Sequence, residues 1–269
     1  MSSGSPLATP EPWDLVADGY VENVADFEAF AREALRLVPA AGEVLDVAAG
    51  PGSLTLLAAR TATRVHAVDF APAMLEALRA RAAAAGITNV DTQLADAQSL
   101  PFPDESFDVA YSMFGIIFFA DRSRALAEMA RVLRPGARVV VSSWPPAERV
   151  PVFAALFGAL AAELPGSGFG KAPTVLGTAA EVTAELGAAG FAAVEVHERE
   201  VVRGTATPAE TWRIFSRGGA PVALLRKKLG EQAFADLSAR VVGRLEQSLG
   251  PGPREVRLTA LLGVGTRRR

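Results

Sequence analysis

The 269-residue sequence predicts an α/β fold: a doubly wound, mostly parallel seven-stranded sheet with an antiparallel last strand and helical lid insertions. Three observations lead there. Short β-prone runs alternate with stretches rich in Ala, Leu, Arg and Glu over the first half of the chain. A glycine-bearing turn follows the first of those runs, and a long helical segment separates the last two. Strand–helix–strand order implies right-handed crossovers and parallel neighbours.

In chain order, residues 1–12 are rich in Ser, Gly, Pro and Thr and are expected to form a disordered tail. Residues 13–38 carry apolar side chains at helical spacing, which predicts one or two helices ahead of the sheet. Strands are expected at 43–47, 64–69, 90–94, 107–113 and 138–144. Pro72 suits a first helical turn, where its missing N–H is not needed, and Gly86 suits a left-handed helix terminus. Asp121 can cap the helix running to Leu133, and Pro135 with Gly136 makes the turn into the fifth strand. Beyond Pro145 the pattern predicts a helix at 148–164, a Gly-rich loop at 165–177, a helix at 179–189 and a strand at 193–202. Two or three helices fill 208–249 and a last strand covers 257–266. Residues 13–269 are read as one domain, with its core at 40–145 and lid elements at 13–38, 146–180 and 205–250.

Composition excludes several classes. The apolar run VFAALFGALAA at 152–162 falls short of the roughly 20 residues that span a bilayer, so no integral membrane association is expected. With 27 basic and 30 acidic residues the net charge is -3, which offers no electrostatic footprint for nucleic acid. The terminal Arg267, Arg268 and Arg269 read as a solvated end. Without cysteine the chain can form no disulfide, thiol nucleophile or cysteine-ligated zinc site, a composition compatible with either redox compartment. The N-terminus lacks the basic and apolar regions of a secretion signal, so a cytoplasmic monomer or homodimer is expected, with no metal site.

The sharpest local signal is VLDVAAGPGSLTLLAAR at 44–60. A buried β run ends in an acid, Gly50 and Gly52 permit a tight turn with close backbone approach, and Ser53 opens a helix whose free N–H groups face the loop. Asp69 ends the second strand, where a carboxylate can accept hydrogen bonds from a ribose diol, and Asp96 ends the third. Acids at three successive strand ends around a glycine turn mark the carboxyl edge where open α/β sheets bind ligands.

These residues resemble a class I S-adenosylmethionine-dependent methyltransferase, of the broad group that includes ubiquinone/menaquinone-biosynthesis methyltransferases and natural-product tailoring enzymes. The resemblance rests on LDVAAGPG (45–52), VDFAPAML (68–75), ADAQSLPFPDESFDVAYSMFG (95–115) and RVLRPGARVVVSSW (131–144). It implies a Rossmann-like fold, S-adenosyl-L-methionine as cofactor and a small-molecule acceptor. By position it implies that Asp46, Ala48 and Gly50 follow the methionine part of the cofactor, with Gly52 in the same loop. Asp69 would hold the ribose, Phe70 and Met74 would pack on the adenine, and Asp96 beside Ala97 would meet its amine. Met113 and Phe114 would lie near the sulfonium, and Tyr20 would close over the cofactor. The family loop commonly carries glycine where Ala48 stands, so a small shift of the loop is expected, without loss of binding.

A nicotinamide-dependent oxidoreductase shares the fold principle, but its fingerprint would place a third glycine at position 55, where this chain has Thr55. Nucleic-acid methylation would call for a basic face and an Asn/Asp-Pro-Pro-aromatic tetrapeptide after the fourth strand, where Ser112-Met113-Phe114-Gly115 stands instead. A binding protein that kept the fold without turnover is the remaining alternative. The sulfonium donor is already activated, so positioning, which can supply about 7–11 kcal/mol, matters more than a general base. His66 and His197 read as structural. Tyr20 and Trp144 are the candidate catalytic groups, with Ser142 and Ser143 beside Trp144. The apolar stretch 113–119, with Trp212, Phe215, Val222, Leu224 and Leu225 of the lid, suits a hydrophobic or aromatic acceptor.

Overall fold

The computed structural model describes residues 6–22, 24–169 and 174–269. Among the described residues three α-helices precede the sheet: α1 (Glu11–Asp14), α2 (Ala17–Glu22) and α3 (Val24–Leu37). The alternating half follows as β1 (Glu43–Val47), α4 (Thr55–Ala58), β2 (Arg64–Asp69), α5 (Pro72–Ala84), β3 (Val90–Leu94), β4 (Phe107–Ser112), α6 (Arg122–Val132) and β5 (Leu133–Ser143). The second half comprises α7 (Pro151–Glu163), α8 (Ala179–Ala188), β6 (Phe191–Ala206), α9 (Pro208–Gly218), α10 (Ala220–Leu229), α11 (Glu231–Leu249) and β7 (Arg254–Arg267).

The seven strands form one sheet in the order β3-β2-β1-β4-β5-β7-β6. Pairing is parallel from β3 through β5, and β7 runs antiparallel to both β5 and β6. The order reverses between β1 and β2 on one side and β4 on the other, which opens a crevice at the carboxyl edge. One face packs on α6 and α8 through Leu126, Met129, Val182 and Leu186, the other on α3 and α4 through Ala31, Ala34, Leu57 and Ala58.

Several expectations need correction. Within the stretch expected to be a tail, Pro6–Ala8 form a 3-10 turn and α1 begins at Glu11; residues 1–5 lie outside the described residues. Ser53 does not open a long helix: residues 51–54 form turns, and the buried α4 is a single turn. Pro135 and Gly136 do not precede the fifth strand but lie inside β5, at a register shift where β4 pairs first with Leu133 and then with Arg138. Both β6 and β7 outrun their predicted ends, because they pair from Phe191 opposite Arg267 to Ala206 opposite Arg254 and extend as a ribbon beyond β5. The expected Gly-rich loop is described only in part, since 170–173 lie outside the described residues.

The helices between β6 and β7 join α7 in a separate core of Leu156, Leu160, Trp212, Val222, Phe234, Leu237, Val241 and Leu245, against which Phe215 and Leu225 pack. Each such side chain contributes roughly 1.5–3 kcal/mol when fully buried. Trp212, Phe215, Val222 and Leu225 of the expected apolar stripe therefore pack within this helical core, and none of them lines the cavity at the sheet edge.

Candidate functional site

At the carboxyl edge a cavity opens over β1, β2 and β4, lined by Tyr20, Asp46, Ala48, Gly50, Asp69, Phe70, Met74, Asp96, Ala97, Met113 and Phe114, all singled out from the sequence. Gly52 and Trp144 do not line it. Gly52 takes φ +86, and a Cβ there would sit 2.2 Å from Leu78 Cδ1, so its task is to let the loop pack onto α5. Trp144 lies behind Phe114, stacked on its ring at 4.1 Å and 18° and met edge-on by Phe30 and Phe153. It packs in the wall behind Phe114 and does not line the cavity.

The loop is pinned by its own acids. Asp69 accepts from Gly50 N–H at 2.8 Å and from Ala71 N–H at 2.9 Å, tying the turn after β1 to the end of β2. Asp46 accepts from the Thr55 hydroxyl at 2.6 Å, so the residue standing where a dinucleotide fingerprint needs glycine has a specific partner. Arg81 of α5 donates to the Pro51 carbonyl and, at 2.9 Å, to Glu28 of α3, holding the loop from outside. Ala48 sits at φ +57, a left-handed conformation that disfavours any side chain; its Cβ takes the space a Cβ on Gly115 would need, 2.2 Å away. The first-glycine departure is thus accommodated by a strained alanine facing a glycine.

Burial drives the electrostatics. Desolvation pushes Asp46 up to about 7, opposed by the Thr55 bond and reinforced by the nearby Asp69. Desolvation likewise pushes Asp69 up to about 6, against the backbone bonds from Ala71, Gly50 and Phe70. Among the described residues neither carboxylate has a salt-bridge partner, so the cavity floor holds two buried acids that a cationic ligand would keep ionised. Asp96 is exposed at the rim and accepts from Gln98 N–H at 2.8 Å.

The roof is aromatic. Trp13, Tyr20 and Phe27 come from α1, α2 and α3 in turn, and Phe118 and Phe119 from the segment after β4. Tyr20 stacks on Phe27 at 5.0 Å, Trp13 meets Phe118 edge-on at 4.7 Å, and Phe27 meets Phe114 at 5.5 Å. Burial, and secondarily Asp69, raise the Tyr20 phenol well above its ordinary range, so it stays neutral. Trp13 and Phe27 were missed from the sequence because, with Tyr20, they lie on three separate helices, so no single helical period brings the three rings together. His66 is bonded at 3.0 Å to Glu43 and packed on Phe102 and Phe107, and His197 lies 3.3 Å from Glu195 in β6; neither lines the cavity. Ser143 donates to the Leu176 carbonyl at 2.6 Å, a structural bond.

A mostly parallel sheet whose order reverses beside β1, with one antiparallel strand and an acid-flanked glycine turn at the switch point, sets the cavity where open α/β sheets bind ligands. Residues 45–141 match the family profile described as a methyltransferase domain. An uncharacterised protein of Mycobacterium tuberculosis is 41% identical over 131 residues, 45% of this chain and 47% of its own. A demethylmenaquinone methyltransferase of Thermus thermophilus is 45% identical over 114 residues, 42% of this chain and 51% of its own. The chain thus spans about half the length of the curated relatives it matches. Among solved structures, the YcgJ protein of Bacillus subtilis superposes with a TM-score of 0.60 at 23% identity, over 88% of this chain and 99% of its own. The [4+2]-cyclase SpnF superposes at 0.59 and 18% identity, over 99% and 100%. At these identities the likeness concerns the fold. Among the described residues no helix is long and apolar enough to cross a membrane.

Proposed function

We propose that the protein binds S-adenosyl-L-methionine in this cavity and directs its methyl group to a small hydrophobic or aromatic acceptor by in-line displacement. The observation that carries the reading is the presence, in one cavity, of two buried acids without a salt-bridge partner among the described residues and an aromatic roof above them. When bound, the cofactor supplies an electrophilic methyl on a positively charged sulfur. Its cationic groups suit Asp46 and Asp69, whose desolvation a positive ligand offsets. Asp69 uses one lone pair of each oxygen on the loop and keeps others for a ribose diol. Phe70 and Met74 offer apolar contact to an adenine, with Asp96 at the rim as acceptor for its amine.

The chain's own contribution is positioning and exclusion of water. The Ala48–Gly115 contact fixes the donor loop against the exit of β4, and the rings of Trp13, Tyr20, Phe27 and Phe118 cover the reacting region. Such pre-orientation can supply about 7–11 kcal/mol. The oxidoreductase alternative loses ground because Thr55 is committed to Asp46. Calorimetric titration with S-adenosylmethionine and with NADH separates the two cofactor readings. Labelled methyl donor offered with 1,4-naphthohydroquinone, phenols, amines and activated carbon acids then tests turnover. Transfer to a member of the panel is expected, and binding of the donor with no transfer to any of them would favour a binding protein without turnover.

A further inference from the structure

We infer that Ser142 is a positioning residue: it holds Phe114 in place as the aromatic wall against which the acceptor docks. The inference rests on the methyl-donor reading of the cavity. β4 stops pairing at Ser112, opposite Val141, so the next backbone N–H groups have no strand partner. Phe114 N–H donates to Ser142 Oγ at 2.8 Å, within a region where both residues are buried. A hydroxyl in the otherwise apolar run Val139, Val140, Val141 is costly to bury unless it is bonded, and this bond accounts for its presence.

The bond matters because Phe114 needs external support. Its φ of +60 is a left-handed conformation that a bulky side chain adopts only where its surroundings impose it. Four contacts impose it here. Ser142 fixes the N–H, Trp144 stacks on the back of the ring, and Phe27 and Phe30 meet it edge-on at 5.5 and 5.4 Å. Gly115 follows directly and abuts Ala48 of the donor loop. The same backbone turn that presents the Phe114 ring to the cavity therefore registers it against the donor loop. Ser142 itself does not line the cavity, so its effect reaches an acceptor only through Phe114.

The test uses the full chain loaded with S-adenosylhomocysteine, with 1-naphthol as the acceptor-site probe, in wild type, Ser142→Ala, Ser142→Thr and Trp144→Leu. Ser142→Ala is expected to weaken 1-naphthol by about tenfold while S-adenosylhomocysteine affinity stays within about twofold, and Ser142→Thr is expected to restore the probe. Trp144→Leu, which keeps the hydrogen bond and removes the stack, should weaken the probe in the same direction; it serves as the second variant if Ser142→Ala does not fold. The inference is overturned if Ser142→Ala leaves 1-naphthol within twofold of wild type, if both ligands weaken together, if Trp144→Leu leaves the probe unaffected, or if the loaded wild type does not bind 1-naphthol. Wild type that fails to bind S-adenosylhomocysteine at all would instead remove the donor-site reading beneath it.

Discussion

Asp69→Asn tests the donor site at its most constrained atom pair. Both carboxylate oxygens accept backbone N–H groups, from Gly50 at 2.8 Å and Ala71 at 2.9 Å. The isosteric amide must turn an NH2 toward one of them, leaving a buried donor unpaired at about 1–3 kcal/mol. Removing a carboxylate whose burial raises it from 3.8 to about 6 returns about 3 kcal/mol of desolvation at neutral pH, so the unliganded protein should melt near the wild-type temperature. Affinity is not spared. Loss of one charge-assisted bond to a ribose hydroxyl is worth about 1.5–3 kcal/mol, or about 10- to 150-fold in Kd. The pH dependence sharpens the test. Above about pH 7 wild-type Asp69 is already ionised; below 6 it must release a proton to bind, losing about tenfold per pH unit, whereas the amide does not titrate. Calorimetry with S-adenosylhomocysteine should therefore give a large wild-type advantage at about pH 8 that shrinks about tenfold by about pH 5. Asp46 titrates in both proteins, and in Asp69→Asn it loses the like charge that helps to raise it. An advantage that is absent at the higher pH, or equal at both, would refute the ribose assignment.

Further expectations concern the loop and its supports. Asp46 is raised from 3.8 to about 7, so the native state binds its proton more tightly than the unfolded chain does; this stability is complete below about pH 4 and lost as pH rises through 7. Thermal melts of the unliganded protein should fall between about pH 5 and 8, and Asp46→Asn should flatten that slope. Gly52→Ala places a methyl 2.2 Å from Leu78 Cδ1 at φ +86 and should cost about 1–3 kcal/mol in denaturant unfolding, with part regained on adding Leu78→Ala. Arg81→Met removes the grip on Pro51 and Glu28 without touching the cavity, and should weaken S-adenosylhomocysteine by about 2- to 10-fold by calorimetry while the circular dichroism spectrum is unchanged.

Much of the site was legible because its parts are local. Asp46, Asp69 and Asp96 each mark the end of a β-prone run, and the Gly50–Gly52 turn announces itself by residue type, so one-dimensional patterns locate all of them. Ala48 shows where such reading stops. Its substitution for glycine is visible in the sequence, but not that the chain holds it at φ +57 and makes room at Gly115, a residue 67 positions away. Trp144 shows the same limit. The end of a strand is the right neighbourhood for a catalytic group, yet the stack on Phe114 turns it to the back of the wall.

What the sequence by itself determined is the alternation of strands and helices, the ligand edge of the sheet and the acids along it, since period, turn chemistry and chain order suffice for these. Tertiary structure alone decided which rings line the cavity, which apolar helix faces join the second helical core, and how far β6 and β7 run together as a ribbon. The physical reason is that burial and ring stacking are settled between segments far apart in the chain, where an apolar residue reads the same whether it faces a core or a cavity.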